Sequence, residues 1–212
     1  MQLNSRSFAD GAPIPSEFAF AAIHPSTHIA LSANRNPHLS WTDVPEGTKS
    51  FVLTCHDPDV PSSGEDVNQE HREVPPSLPR VEFFHWVLID IPKAMREIGA
   101  GSHSDGVIPR GKPGPGAPHG LRHGLNDYTR WFANDPGMRG EYYGYDGPCP
   151  PWNDSLIHHY VFTLHAIDLT RLDMDGVLDG PSTRAALVGH VLAKAVLTAT
   201  YSLNPRVQPS RH

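Results

Sequence analysis

Cysteine is nearly absent from this chain. Cys55 and Cys149 are the two thiols in 212 residues, too few for the disulfide framework of a small secreted scaffold. Both are read as free thiols in a reducing compartment, and because each lies beside a candidate pocket residue a redox or disulfide role stays open. No apolar run approaches the roughly 20 residues that a membrane-spanning helix needs. The first residues, Met1 to Ser7, hold no continuous apolar segment of the kind a secretory signal carries, so a cytoplasmic location is expected. Lysine and arginine form no cluster and the formal net charge is -6, which counts against a nucleic-acid partner. There is no internal repeat and no Gly-x-Ser-x-Gly nucleophile elbow. Arg110-Gly111-Lys112 lacks the spacing and the following helix of a phosphate-binding loop.

What the chain does have is proline, glycine and histidine. Gly99 to Gly124 carries eight glycines and four prolines and reads as one long loop. His119 and His123 have helical spacing there, but with no helix to align them a metal site is not expected. Residues 62–79 are polar, charged and proline-rich, a surface excursion that is either a solvated loop or a lid. The first fifty residues read as irregular chain with short strands. The 14 histidines outnumber the six excess negative charges, so mild acid can reverse the sign of the net charge. The length suits one sizeable core: a single domain over residues 1–204 with a flexible tail at 205–212.

Three strand-like runs organise the rest. In His158 to Asp168 the residues His158, Tyr160, Phe162, Leu164 and Ala166 share one face, apolar except at its start. Phe51, Leu53, Cys55 and Asp57 share a face that ends in a carboxylate, and Pro58 and Pro61 are expected to stop that strand. Phe83 to Pro92 is almost wholly apolar, as a strand buried on both faces would be, with His85 near its start. Each strand thus presents one ionisable side chain at an end: Asp57, His85 and His158. Three such placements point to a shared cavity. Thr183 to Thr200, with apolar residues at 187, 191, 195 and 199, predicts a long helix capped by Ser182.

Asp57-Pro58-Asp59-Val60-Pro61, His85-Trp86, Gly147-Pro148-Cys149-Pro150-Pro151 and His158-His159-Tyr160 together resemble the signature of the phosphatidylethanolamine-binding protein family, in particular its bacterial, Raf-kinase-inhibitor-like branch. Asn126-Asp127-Tyr128 and the run from Gly189 to Tyr201 resemble it too, so the likeness spans residues 1–203. Two departures stand out: His159 occupies a position where the family usually has arginine, and residues 62–82 are longer than in compact bacterial members. The resemblance implies a mostly β fold, with a central antiparallel sheet, a second smaller sheet and peripheral helices. It also implies a cis Val60-Pro61 bond, homodimerisation, and a pocket for phosphate, acetate or a phosphoethanolamine-like head group. The implied ligand-binding residues are Asp57, Phe83, His85, Gly147, Pro148, His158, Tyr160 and Tyr201. Kinase inhibition, linked to family members mainly in eukaryotes, is not carried over, and the protein partner is left open.

The residue chemistry agrees with an anion pocket. Two imidazoles and a phenol can donate to oxyanion oxygens, Asp57 can hold a neighbouring histidine protonated, and N–H groups of the Gly/Pro turn can add donors. Affinity for anions is then expected to rise as pH falls from about 8 to 6. The alternative is an enzyme using the same Asp/His/His set for hydrolysis or metal-assisted chemistry, with Cys149 as a candidate thiol nucleophile. No catalytic residue, metal ligand or cofactor is assigned.

Overall fold

The structure is a computed structural model that describes residues 1–174 and 176–208. Among these, the strands in chain order are β1 (Gln2–Asn4), β2 (Ala21–His24), β3 (His28–Leu31), β4 (Leu39–Thr42), β5 (Ser50–Pro61), β6 (Arg80–Pro92), β7 (Glu97–Ile98), β8 (Arg122–His123), β9 (His158–Ile167) and β10 (Val191–Tyr201). Two short helices join them, α1 (Tyr128–Trp131) and α2 (Gly180–Ala186). A five-stranded sheet of order β10-β9-β5-β6-β8 is antiparallel at every pairing. A three-stranded sheet, β1-β4-β7, and the β2-β3 hairpin complete the strands. The expected mostly β architecture is observed.

Period-2 alternation explains how the central sheet buries both faces. Phe51, Leu53, Cys55, Trp86, Leu88, Phe162 and Leu164 pack into the larger core, on the side of the small sheet. Val52, Phe84, Val87, Ile89 and Ile167 point the other way, under Leu172 and Leu187. No helix among the described residues is long and apolar enough to cross a membrane.

The predicted long helix over 183–200 is not what forms. The helix is α2, which starts at Gly180, and Gly189 at φ +84° turns the chain out of it. Asp179 is its N-cap, in a capping box with Ser182, where the sequence pointed to Ser182 as the cap. Beyond it, Val191 to Tyr201 run as β10 against β9. The apolar residues of this stretch satisfy both periods: 187, 191, 195 and 199 repeat every fourth residue, yet Ala195, Leu197, Ala199 and Tyr201 also alternate, and it is these that are buried. Valine and threonine at 191, 196, 198 and 200, together with a ready partner in β9, decide for strand. The other flank of β10 is partly covered by the N-terminal segment. Gly11 and Ile14 N–H groups donate to the carbonyls of Thr198 and Thr200 (2.7 and 2.8 Å), and Thr200 N–H donates to Ala12 (3.0 Å).

Two further expectations need correction. Pro58 does not end β5, which runs on to Pro61. The register shifts between Asp57 and Val60, so Pro58, which has no N–H to give, sits in a bulge and the strand continues. Val60-Pro61 is not cis, and Gly114-Pro115 is. The tail expected at 205–212 is described as far as Gln208, where Val207 N–H bonds the Asn204 carbonyl (3.1 Å) in a turn; residues 209–212 lie outside the described residues.

Candidate ligand site

The ends of β5, β6 and β9 nearest residues 57, 83 and 158 open on a cavity of about 270 Å³. Asp57, Phe83, His85, His158 and Tyr160 all line it. A second register shift, between Cys55 and His56, lets β6 run one residue long, so His85 and Trp86 are not on opposite faces as strict alternation requires. The bulge turns His85 toward the cavity while Trp86 stays in the larger core. Bulges of this kind leave no mark in the hydrophobic pattern.

His158 is completely buried and held between two carboxylates: Nδ1–H donates to Asp57 (2.7 Å) and Nε2–H to Asp154 (3.0 Å). Asp154 takes both ends of the Arg80 guanidinium (2.6 and 3.1 Å) and the Leu156 N–H (3.0 Å). Burial alone would lower the His158 pKa, but the charge of Asp57 and the hydrogen bonds to Asp154 and Asp57 outweigh it and raise it to about 9. The Asp154 carboxyl is opposed by burial too, yet its bonds to His158 and Arg80 lower its pKa. The row Asp57–His158–Asp154–Arg80 therefore balances two positive against two negative charges. It also uses up both His158 nitrogens, so neither can donate to a ligand as the sequence reading had it.

His85 differs. Its Nδ1–H donates to the Asp146 carbonyl (2.8 Å), leaving Nε2 without a protein partner. Burial lowers its pKa, with Asp57 and the bond to Asp146 opposing, so the ring is neutral at pH 7 with a free lone pair on Nε2. Tyr160 Oη, also fully buried, has no hydrogen-bond partner among the described residues. Burial also pushes the Cys149 thiol up to about 12, so it is no thiolate at neutral pH.

Gly147 and Pro148 stand behind the cavity wall, and the next three residues, Cys149, Pro150 and Pro151, form it. The Gly147 N–H, expected to face a ligand, donates instead to Asn34 Oδ1 (2.8 Å), and the Pro148 carbonyl accepts from Phe20 (2.9 Å). A Cβ at Gly147 would collide with the Phe18 carbonyl, which accounts for glycine there. Tyr201 lies outside this cavity: its hydroxyl donates to the Ala21 carbonyl (2.8 Å) and its ring lines a separate hollow with Ile14 and Ile23. In β10 it pairs with His158.

Several residues that shape the site escaped the sequence reading. Asp154 and Arg80 are two. Asp146 is a third, a buried carboxylate that accepts from Asn34 (2.7 Å) and Asn126 (2.8 Å) and pairs with buried Lys112 (3.0 Å). That ion pair anchors the 144–151 turn and gives Lys112 its role, which is not phosphate binding. Asn153 is a fourth. Its buried side chain donates to the carbonyl of Asp66 (2.8 Å) and accepts from Asn68 N–H (2.9 Å). It pins residues 62–79 so that Val67 and Asn68 form part of the wall. The one signal for these residues in the sequence was their polarity among apolar or turn neighbours.

His123, read as an unlikely ligand, shares a 3.0 Å hydrogen bond with His103. Burial and the neighbouring imidazoles lower both, to about 4 for His103 and, with Lys112 contributing, to about 3 for His123. His159, at the position of the family's usual arginine, bonds Asp59 through both its ring (2.8 Å) and its N–H (2.8 Å). Among the described residues no three His, Cys, Asp or Glu side chains are grouped to hold a metal ion.

The phosphatidylethanolamine-binding protein family model matches residues 4–202. The chain belongs to this family. Among the family's curated members, UPF0098 protein YbhB of Escherichia coli is 31% identical over 202 residues, covering 95% of this chain and 100% of YbhB. A UPF0098 protein of Aquifex aeolicus is 29% identical over 203 residues, covering 95% and 88%. Of the solved family structures, E. coli YbcL, described as a new member of the mammalian PEBP family, superposes with a TM-score of 0.66 at 25% identity, covering 95% of this chain and 97% of YbcL. A Chlamydia trachomatis protein described as a homolog of the family superposes with a TM-score of 0.62 at 25% identity, covering 95% and 96%.

Proposed function

We propose that the chain binds the oxyanion head of a small ligand in this cavity, phosphate or a phosphoester being the chemistry that fits. The observation that carries the reading is His85, whose Nε2 has no hydrogen-bond partner among the described residues in a cavity wall that it shares with Tyr160. The Tyr160 hydroxyl is buried and unpartnered, an unmade bond that costs on the order of 1–3 kcal/mol, so a small movement of the ring that brings it onto a ligand oxygen is favoured. Beside it, His85 Nε2 accepts from a protonated ligand oxygen or, once protonated itself, donates to a charged one. His158 is neutralised within its row of charges and only holds Asp57 in place beside the cavity, while the family's name for a phospholipid with a phosphoethanolamine head points to the same chemistry.

An acid–base hydrolase using these residues is less well supported. His158 has no free nitrogen to take a proton, and the nearby thiol is protonated at neutral pH. The pH response expected from the sequence also moves. His158 is already charged from pH 8 to 6, so the rise in anion affinity belongs to His85, whose pKa is below 6.5, and it continues below pH 6. Calorimetric titration with phosphate and O-phosphoethanolamine tests the reading on the parent, Tyr160→Phe and His85→Ala. Saturable binding weakened in both folded variants is expected. Binding absent from the parent, or untouched by either change, sinks it.

A further inference from the structure

Asp57, His85, His158 and Tyr160 line the cavity at the ends of β5, β6 and β9, and apart from Ser63 and Asn68 most of the remaining lining is carbon. Ile29 from β3, Val60 from β5, Val67 from the 62–79 segment, and Phe83, Phe132 and Met138 make walls from five separate parts of the chain. An inorganic anion held at Tyr160 and His85 fills little of about 270 Å³, which is room for roughly nine waters at about 30 Å³ each. Water left against such walls has few partners, so a carbon-rich ligand group displaces it favourably. Two large apolar side chains of the lining are also exposed to solvent, Leu31 at 65% and Trp131 at 51%.

We infer that the ligand is a compact amphiphile, a single ring-sized apolar body, aryl for preference, carrying one phosphate-type head. This rests on the head-group reading above and goes beyond it by assigning the apolar half. Aromatic character follows from the walls. Tyr128 and Phe83 meet edge to face at 5.1 Å and Tyr128 and Phe132 stack at 5.4 Å, and all three rings line the cavity, which gives a flat ring both faces and edges to pack on. Compactness follows from size, because the cavity lies just below the roughly 300–1,000 Å³ of drug-sized pockets and cannot seat two acyl chains. The polar end sets the orientation: head toward Tyr160 and His85, ring toward Val67 and Met138, rim closed by Trp131 and Leu31.

Calorimetry with inorganic phosphate, O-phosphoethanolamine and phenyl phosphate, alongside sedimentation with phosphatidylethanolamine vesicles, tests the inference. Phenyl phosphate should bind the parent at least about tenfold tighter than inorganic phosphate. That ratio should fall toward one in Trp131→Ala, where the rim loses its ring, and in Met138→Ser, where the wall turns polar. A ratio near one in the parent, with inorganic phosphate still bound, overturns the compact amphiphile and leaves the head-group reading standing. Vesicle binding stronger than that of phenyl phosphate also overturns it, in favour of a lipid. If none of the three phosphates binds, the head-group reading fails first and the inference with it.

Discussion

Two histidine clusters have opposite electrostatic outcomes in this molecule. His158 lies between Asp57 and Asp154 and its pKa rises to about 9. His103 and His123 bond each other, and theirs fall to about 4 and about 3. Burial acts the same way on all three, against the charged form. What differs is the partner: a carboxylate outweighs desolvation, and a second imidazole adds to it. The fold thus stores one obligatory cation and two obligatory neutral rings, the first at the candidate site and the second behind the 144–151 turn, where the His123 ring packs against Gly144.

The strongest way to break this contrast is to remove a carboxylate. Asp154→Ala leaves both Arg80 and His158 short of a partner in a buried setting and should destabilise the fold by about 3–5 kcal/mol, read from urea midpoints. A loss below about 1 kcal/mol would mean that solvent reaches the row and the charges are not interdependent.

Alkali should act next. The folded pKa of His158 is above its unfolded value of 6.5, so its stabilisation is complete below pH 6.5 and disappears as pH rises through about 9. The loss across that window is expected to reach about 3 kcal/mol in urea titrations and to be absent from His158→Gln. A profile that is flat in the parent contradicts the clamped imidazolium. The other pair runs the opposite way. Folded pKa values below 6.5 mean that the unfolded chain takes up protons first, so stability falls as pH drops from 6.5 toward about 4. Proton NMR of the imidazole resonances sharpens the comparison: His158 should titrate near 9, while His103 and His123 should remain neutral at pH 5. Titration of all three near 6.5 would erase the distinction.

The smallest expected effect is that of Tyr160→Phe. With no bond to lose and an unmet desolvation cost removed, stability should stay within about 1 kcal/mol of the parent or rise slightly, even though ligand affinity drops. A loss above about 2 kcal/mol would reveal a partner for the hydroxyl.

The half of this comparison that lies in β9 was readable before the fold was known. Alternation put His158 and Tyr160 on the core face, and three strands each ending in one ionisable residue led to Asp57 and His85. The partners that set the protonation states were not readable. Asp154 lies four residues ahead of His158 in a proline-rich turn, and nothing local says that the chain folds it back onto the ring. His85 owes its direction to a bulge, and His103 meets His123 across 20 residues of glycine-rich loop. β10 was read as a helix because alanine, valine and leucine satisfied both periods, and the deciding factor, an unpaired flank of β9, exists only in three dimensions. Local pattern shows which residues can face a cavity, whereas charge and secondary structure at the margins depend on contacts distant in sequence.

The stitching of residues 11–14 to Thr198 and Thr200 has a consequence for synthesis. Residues 11–14 leave the ribosome long before their partners Thr198 and Thr200, so this edge of the central sheet stays unfinished until residue 201 has emerged. At roughly 5–20 residues per second the N-terminal segment waits on the order of ten seconds or more for its partner. Once β9 has emerged it has no outer neighbour until β10 follows, and nascent chains arrested before Val191 should expose a strand edge that released chains keep covered.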